Sequence, residues 1–210
     1  MPLTLYGSPG SGSAAVEMAL RAASVPYQVV RASTWEPGAS YQALLSVNPL
    51  GQIPTLQLAD GTVLSESAAI LIHLALSHPE AGLLPSAPSA RAAALRGLVY
   101  IPANCYAAVS VSDYPERWTT ATATAAIEEV RAGARQQLHR AWEVFADALG
   151  GSAEFHGATP GAMAFLAVVV SQWSGARAHL QQHRPAFYQA LMQLEAHPRL
   201  APVLAEHRAD

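Results

Sequence analysis

Residues 48–76 constrain the fold of this 210-residue chain more than any other stretch. They read N-P-L-G-Q-I-P-T-L-Q-L-A-D-G-T-V-L-S-E-S-A-A-I-L-I-H-L-A-L, a loop, a strand, a tight turn, a strand and a helix. Residues 55–58 and 63–64 are short apolar runs, and Asp60-Gly61 between them is a strong hairpin signal. Ser65-Glu66-Ser67 then precedes Ile70, Leu71 and Leu74, which recur at helical spacing. A serine at a helix start can satisfy orphan backbone N–H groups, and that end of a helix is a ready anion site. The hairpin, the Ile53-Pro54 step and the acidic, hydroxyl-bearing helix start converge on one place, which could hold a small zwitterion.

The flanking sequence extends this into a larger unit. Residues 3–6 form a strand pattern, followed by the turn-rich loop Gly7-Ser8-Pro9-Gly10-Ser11-Gly12-Ser13. Ser13 can cap the next helix, whose apolar face uses Val16, Met18, Ala19 and Leu20 and which ends before Pro26. Residues 27–30 are a second strand, so the first thirty residues predict a βαβ unit with parallel strands. A short helix is expected around residues 41–45. The whole reads as a β-α-β-α-β-β-α domain over residues 1–78, thioredoxin-like in layout but without a C-x-x-C.

Residues 79–89 are rich in Pro and Gly and read as a linker. From residue 90 to 210 the pattern is all-helical. A long helix is expected over 90–111 with Pro102 kinking it, and a break at Asp113-Tyr114-Pro115-Glu116-Arg117-Trp118. A second long helix is expected over 119–149, and an apolar one from Thr159 as N-cap and Pro160 at N1 through Trp173. Residues 187–195 and 200–207 supply the last helices.

Composition narrows the function. A hydrophobic fraction of 51% supports a large core, and a net charge of −3 with no Lys among twelve basic residues gives no basic patch for nucleic acid. The single cysteine, Cys105, fits a reducing compartment, and the eight His lack metal-ligand spacing. The expectation is a soluble, cytoplasmic protein without metal, membrane span or export signal.

Gln52-Ile53-Pro54-Thr55-Leu56, followed by Asp60-Gly61-Thr62-Val63-Leu64-Ser65-Glu66-Ser67-Ala68-Ala69-Ile70, resembles the glutathione-binding half of the glutathione transferases. In that family the pattern Q-[I/V]-P-x-L … D-G-x-x-L-x-E-S-x-A-I carries a cis proline. The resemblance implies a thioredoxin-like domain followed by an all-helical domain, and a cytosolic homodimer that takes glutathione as co-substrate and joins it to an apolar electrophile. The first loop is most similar to the bacterial beta-type pattern Y-x-x-P-G-x-C-S, which puts Gly12 where the cysteine stands and Ser13 on the serine.

Glutathione reacts as a thiolate, and a free thiol ionises only near pH ~8.5, so a hydroxyl near a helix N-terminus has to stabilise the anion. Ser11 is the first candidate, then Ser13, then Tyr6; taken singly, Ser13 reads as a helix cap and Tyr6 as a strand residue. The resemblance implies that Glu66 pairs with the α-ammonium, Ser67 holds the α-carboxylate, and Ile53, before a cis Pro54, offers its backbone to the cysteinyl part. Trp35 and Gln52, with Arg31 behind them, are candidates for the glycine carboxylate.

Tyr106, Asn104, Tyr100 and Trp173 are candidates for the second-substrate pocket, with Cys105 expected to be buried and inert. Ala162 stands where the family's central helix usually has a capping Asp, an expected deficit of order 1 kcal/mol. Within this family the resemblance leaves two alternatives open. One is a glutathione-dependent isomerase, lyase or tailoring enzyme; the other is a non-catalytic stress or regulatory binding protein.

Overall fold

A computed structural model describes residues 2–33, 35 and 37–208 of the chain. Strand β1 (Leu3–Gly7) pairs in parallel with β2 (Tyr27–Arg31), with α1 (Ser13–Ala22) as the crossover between them. Helix α2 (Ala39–Val47) leads to β3 (Thr55–Gln57), which runs antiparallel to β1 and forms the expected hairpin with β4 (Val63–Ser65). The sheet order is β2-β1-β3-β4, and α3 (Ser67–Ser77) follows. Because strand side chains alternate, the neighbours Leu5 and Tyr6 of central β1 serve opposite faces. Leu5 joins the main core with Ala15, Met18, Ile70 and Leu71, while Tyr6 is buried with Ala32 and Leu44 on the other side.

The remainder is helical. A single turn at Pro79–Ala81 leads to α4 (Pro88–Tyr100) and α5 (Ala107–Asp113), with a turn at Pro115–Arg117. Then come α6 (Thr124–Leu149), α7 (Ala153–His156) and α8 (Ala162–Val170). Helices α9 (Ala176–His183), α10 (Pro185–Glu195) and α11 (Ala201–Arg208) complete the chain. Every residue of α8 is buried, and this helix packs against α1, α3, α4 and α10. One continuous apolar core therefore runs from the sheet into the helical bundle. Among the described residues no helix is long and apolar enough to cross a membrane.

Several boundaries differ from expectation for local reasons. Pro102 lacks an N–H, and the chain answers with a π-helical turn, Ile101–Tyr106, between α4 and α5, closed by the Ala107 N–H donating to the Pro102 carbonyl. Helix α6 starts at Thr124, five residues late, after the Thr119 hydroxyl oxygen accepts the Ala121 N–H at 3.1 Å. The capping role expected of Ser13 falls elsewhere: Gly12 is the N-cap position of α1, and Ser13 is its first residue. Helices α7 and α9 were not legible, the first because it is a single turn and the second because it is largely polar.

Helix α8 begins at Ala162, not at Thr159. The Pro160 carbonyl is tied outside the helix by Arg199, whose Nη1 donates to it at 2.7 Å. The expected capping deficit at Ala162 is absent. The Leu83 carbonyl accepts the Ala162 N–H at 2.9 Å, and the buried Glu154 carboxylate accepts the Ala164 N–H at 3.3 Å. The N–H groups of Gly161 and Met163 also face that carboxylate. Glu154, from α7, thus replaces the missing Asp from outside the helix.

Candidate functional site

A cavity of about 550 Å³ lies between the sheet-side residues and the helical bundle. Its first wall is carried by the loop before β3 and by the start of α3. The Ile53–Pro54 bond is cis. The loop is held by the buried Asn48, whose Nδ2 donates to Thr55 Oγ1 at 2.8 Å and to the Gln52 carbonyl at 3.3 Å. Thr55 Oγ1 donates to the same carbonyl at 2.7 Å. These bonds fix the backbone of residues 52–55 and leave the Gln52 side chain exposed at the cavity.

Glu66 links β4 to α3 with φ 69° and ψ 114°, a conformation that costs a non-glycine residue about 1–3 kcal/mol. Its carbonyl accepts the first helical bond, from Ile70 at 3.0 Å, while its carboxylate has no cation within salt-bridge distance among the described residues. Ser67 follows as the first residue of α3, where the backbone N–H has no partner within the helix and the helix dipole is positive. A free carboxylate and a free N-terminal amide with its hydroxyl therefore stand side by side on the same wall. That pairing suits an amino acid's ammonium and carboxylate.

Ser11 reaches the same cavity from the first loop. Its Oγ accepts the N–H of Ser13 at 3.2 Å and of Ser8 at 3.4 Å, and lies 3.0 Å from Ser13 Oγ. Ser13 Oγ can donate to the Ser8 carbonyl at 3.4 Å. With its oxygen already accepting two N–H groups, Ser11 can direct its O–H proton to Ser13 Oγ or turn it to a ligand in the cavity. Donors on that oxygen polarise the O–H and make it a better donor. Gly12, beside it, leaves open space: a Cβ there would meet only Pro54 Cδ at 3.6 Å and Ser67 Oγ at 3.8 Å.

The opposite wall is helical and mostly aromatic or aliphatic. The π-turn brings Ile101, Pro102 and Tyr106 to the cavity, and α8 contributes Leu166 and Val170. Tyr106 stands edge-on to Trp173, with ring centroids 5.3 Å apart. Burial, with a smaller contribution from Asp113 and Glu66, pushes the Tyr106 phenol up, so it stays protonated and can donate a hydrogen bond. The stretch after α5 adds Asp113, Tyr114, Arg117 and Trp118.

The family model described as "Glutathione S-transferase, N-terminal domain" matches residues 13–76. The uncharacterized GST-like protein YncG of Escherichia coli K12 is 38% identical over 117 residues, which cover 55% of this chain and 57% of that protein. A maleylacetoacetate isomerase of Pseudomonas aeruginosa is 33% identical over 91 residues, 42% of each chain. Both matches span less than two thirds of the relative. A solved glutathione transferase homologue from Sulfitobacter, with bound glutathione, superposes over 98% of both chains with a TM-score of 0.79 at 26% identity. Residues 13–76 are a glutathione S-transferase N-terminal domain.

Ser11, Trp35, Gln52, Ile53, Pro54, Glu66, Ser67, Tyr106 and Trp173 all line the one cavity. Five other sequence candidates do not. Tyr6 is buried on the α2 side of the sheet. Ser13 is fully buried behind Ser11 and touches the cavity only through it. The Tyr100 hydroxyl donates to the Ala141 carbonyl at 3.0 Å, which turns the ring toward α6. Asn104 is spent on the Tyr100 carbonyl, 3.1 Å away. Arg31 lines a separate cavity of about 150 Å³ behind the first loop. Cys105 is buried, and burial pushes its thiol up to about 12, so it is inert at neutral pH. Among the described residues no group of His, Cys, Asp and Glu could hold a metal ion. Sequence reading missed Tyr114, Arg117 and Trp118 as wall residues; its only signal there was the helix break.

Proposed function

We propose that this chain is a glutathione transferase that binds glutathione on the sheet-side wall and joins it to an electrophile held against the helical wall. The observation that carries this reading is the meeting of Glu66, Ser67, the Ile53 backbone and Ser11 in one cavity whose far side is aromatic. The glutathione bound in the Sulfitobacter homologue supports it. On this reading Glu66 receives the α-ammonium and Ser67 the α-carboxylate, both charge-assisted hydrogen bonds. Ile53 pairs with the cysteinyl backbone, and Gln52 and Trp35 face the glycine end.

The cysteinyl thiol loses its proton to solvent, and the Ser11 O–H donates to the thiolate at the N-terminal end of α1. Ser13 holds Ser11 in position and touches no ligand. The thiolate sulfur then attacks the electrophilic carbon, and the leaving group departs with the bonding electron pair. Residues 1–78 would carry glutathione, residues 79–89 the connection, and residues 90–210 the second-substrate wall. The reading extends to a cytoplasmic homodimer. The lone buried Cys105 fits a reducing compartment, and the exposed Leu76 and Val99 on the adjoining α3 and α4 offer apolar surface for a second copy.

Turnover of a generic aromatic electrophile by wild type and Ser11→Ala tests the chemistry. A hydrogen bond to a charged group contributes about 1.5–3 kcal/mol, so the substitution is expected to lower the rate at neutral pH by about tenfold or more. The pH at which the bound thiol ionises, followed by its ultraviolet thiolate absorbance, should rise in parallel. Equal rates and equal ionisation in both proteins would remove Ser11 from the mechanism. Saturable glutathione binding without turnover of any electrophile would favour a binding protein.

A further inference from the structure

The helical wall of the cavity carries one cation among the described residues, Arg117. It sits on the exposed turn after α5, and its guanidinium carbon lies 4.0 Å above the centroid of the Tyr114 ring. No carboxylate of the described residues comes within 4.0 Å of it, in contrast to Arg21, Arg177, Arg184 and Arg208, each of which has a glutamate or aspartate partner. The nearest acid in sequence on the same wall, Asp113, is four positions away. The helix ends between the two, and Asp113 Oδ1 instead accepts the Ser174 hydroxyl at 3.1 Å. The contact with the Tyr114 ring positions the guanidinium without using any of its five N–H donors. Trp118, exposed beside it, lines the same cavity.

We propose that the second substrate is a small planar, conjugated acid, whose ring packs among Tyr106, Trp173 and Trp118 and whose carboxylate is received by Arg117. This deepens the transferase reading and rests on it for the identity of the partner thiol. A purely apolar co-substrate would leave a planar, donor-rich cation at the cavity with only solvent as its acceptor. A planar guanidinium fork matches a carboxylate bidentately, and an aromatic wall takes the conjugated remainder by stacking or edge contacts. Glu66, the other charged group on the cavity besides Asp113, is committed to the ammonium of glutathione on the opposite wall. The two ligands are thus sorted by charge: an ammonium at the sheet side, a carboxylate at the helical side.

Calorimetric titration with cinnamate and its neutral counterpart cinnamamide, on wild type and Arg117→Met, tests the assignment without requiring turnover. Wild type is expected to bind cinnamate about tenfold more tightly than cinnamamide, and Arg117→Met to erase that preference by weakening cinnamate alone. Arg117 is exposed, and an unchanged thermal transition will show that the variant is folded. Equal affinities in wild type, equal weakening of both ligands in the variant, or no saturable binding of either ligand to wild type would overturn the proposal. A separate glutathione titration distinguishes its failure from that of the transferase reading: no preference for cinnamate in wild type, with intact glutathione binding, sinks only the acid substrate.

Discussion

Glu154 sits in an environment unlike what its type would suggest. Its carboxyl is buried, and burial pushes it up to about 7, although the N–H groups of Ala164, Gly161 and Met163 and the charge of Arg199 pull the other way. An acid held above its ordinary value near 4.5 binds its proton more readily in the folded chain than in the unfolded one. Its contribution to stability is therefore complete below the ordinary value and is lost as pH rises through about 7. Glu154→Gln keeps an acceptor oxygen for the helix and removes the titration. Wild type is expected to lose thermal stability relative to Glu154→Gln between about pH 5 and about pH 8. Melting curves across that range check it, and a pH-independent difference between the two proteins would contradict it.

At the scale of elements, the start of α8 depends on a close approach. A Cβ on Gly161 would come within 2.6 Å of the Leu83 carbonyl oxygen and 3.0 Å of both Glu154 carboxylate oxygens. Neither can yield without losing a cap, so Gly161→Ala is expected to cost about 1–3 kcal/mol in urea unfolding, the range of an overpacked core. A loss below a few tenths would show that Leu83 and Glu154 are dispensable to the cap. This junction also marks where sequence reading stops. The hairpin of β3 and β4, α1 and α3 were legible because their signals are local: Asp60-Gly61, the Val16–Leu20 face, and Ser65-Glu66-Ser67 before an apolar run. The α8 cap comes from a carboxylate ten residues away and from the carbonyl of Leu83, far upstream before α4, which no local pattern records. The cavity divides in the same way. Ile53, Glu66 and Ser67 were legible as one short segment, whereas Tyr114, Arg117 and Trp118 reach it only because the π-turn and α8 bring the helical wall around. Ser11 stood ahead of Ser13 in sequence, and of the two it is Ser11 that lines the cavity.

For the whole molecule, the shared core has a thermodynamic consequence. Leu5, Ala15 and Ile70 from the sheet side belong to the same buried cluster as Phe165, Leu166 and Trp142 from the helical side. Separating the two halves would expose α8 on one side and α1 and α3 on the other. Unfolding is expected to be one transition, with tryptophan fluorescence, dominated by the helical half through Trp118, Trp142 and Trp173, coinciding with far-ultraviolet circular dichroism. Two resolved transitions would mean that the halves are independent domains. One cooperative body also means that a ligand held at Glu66 and Ser67 stabilises the entire chain by mass action.

Glutathione titration by calorimetry, on wild type and on Glu66→Ala, tests the central claim most directly. The account predicts saturable binding to wild type and a loss of about tenfold to a hundredfold in the variant, the size of one charge-assisted hydrogen bond. No binding to wild type at millimolar glutathione, or equal binding to both proteins, would contradict it.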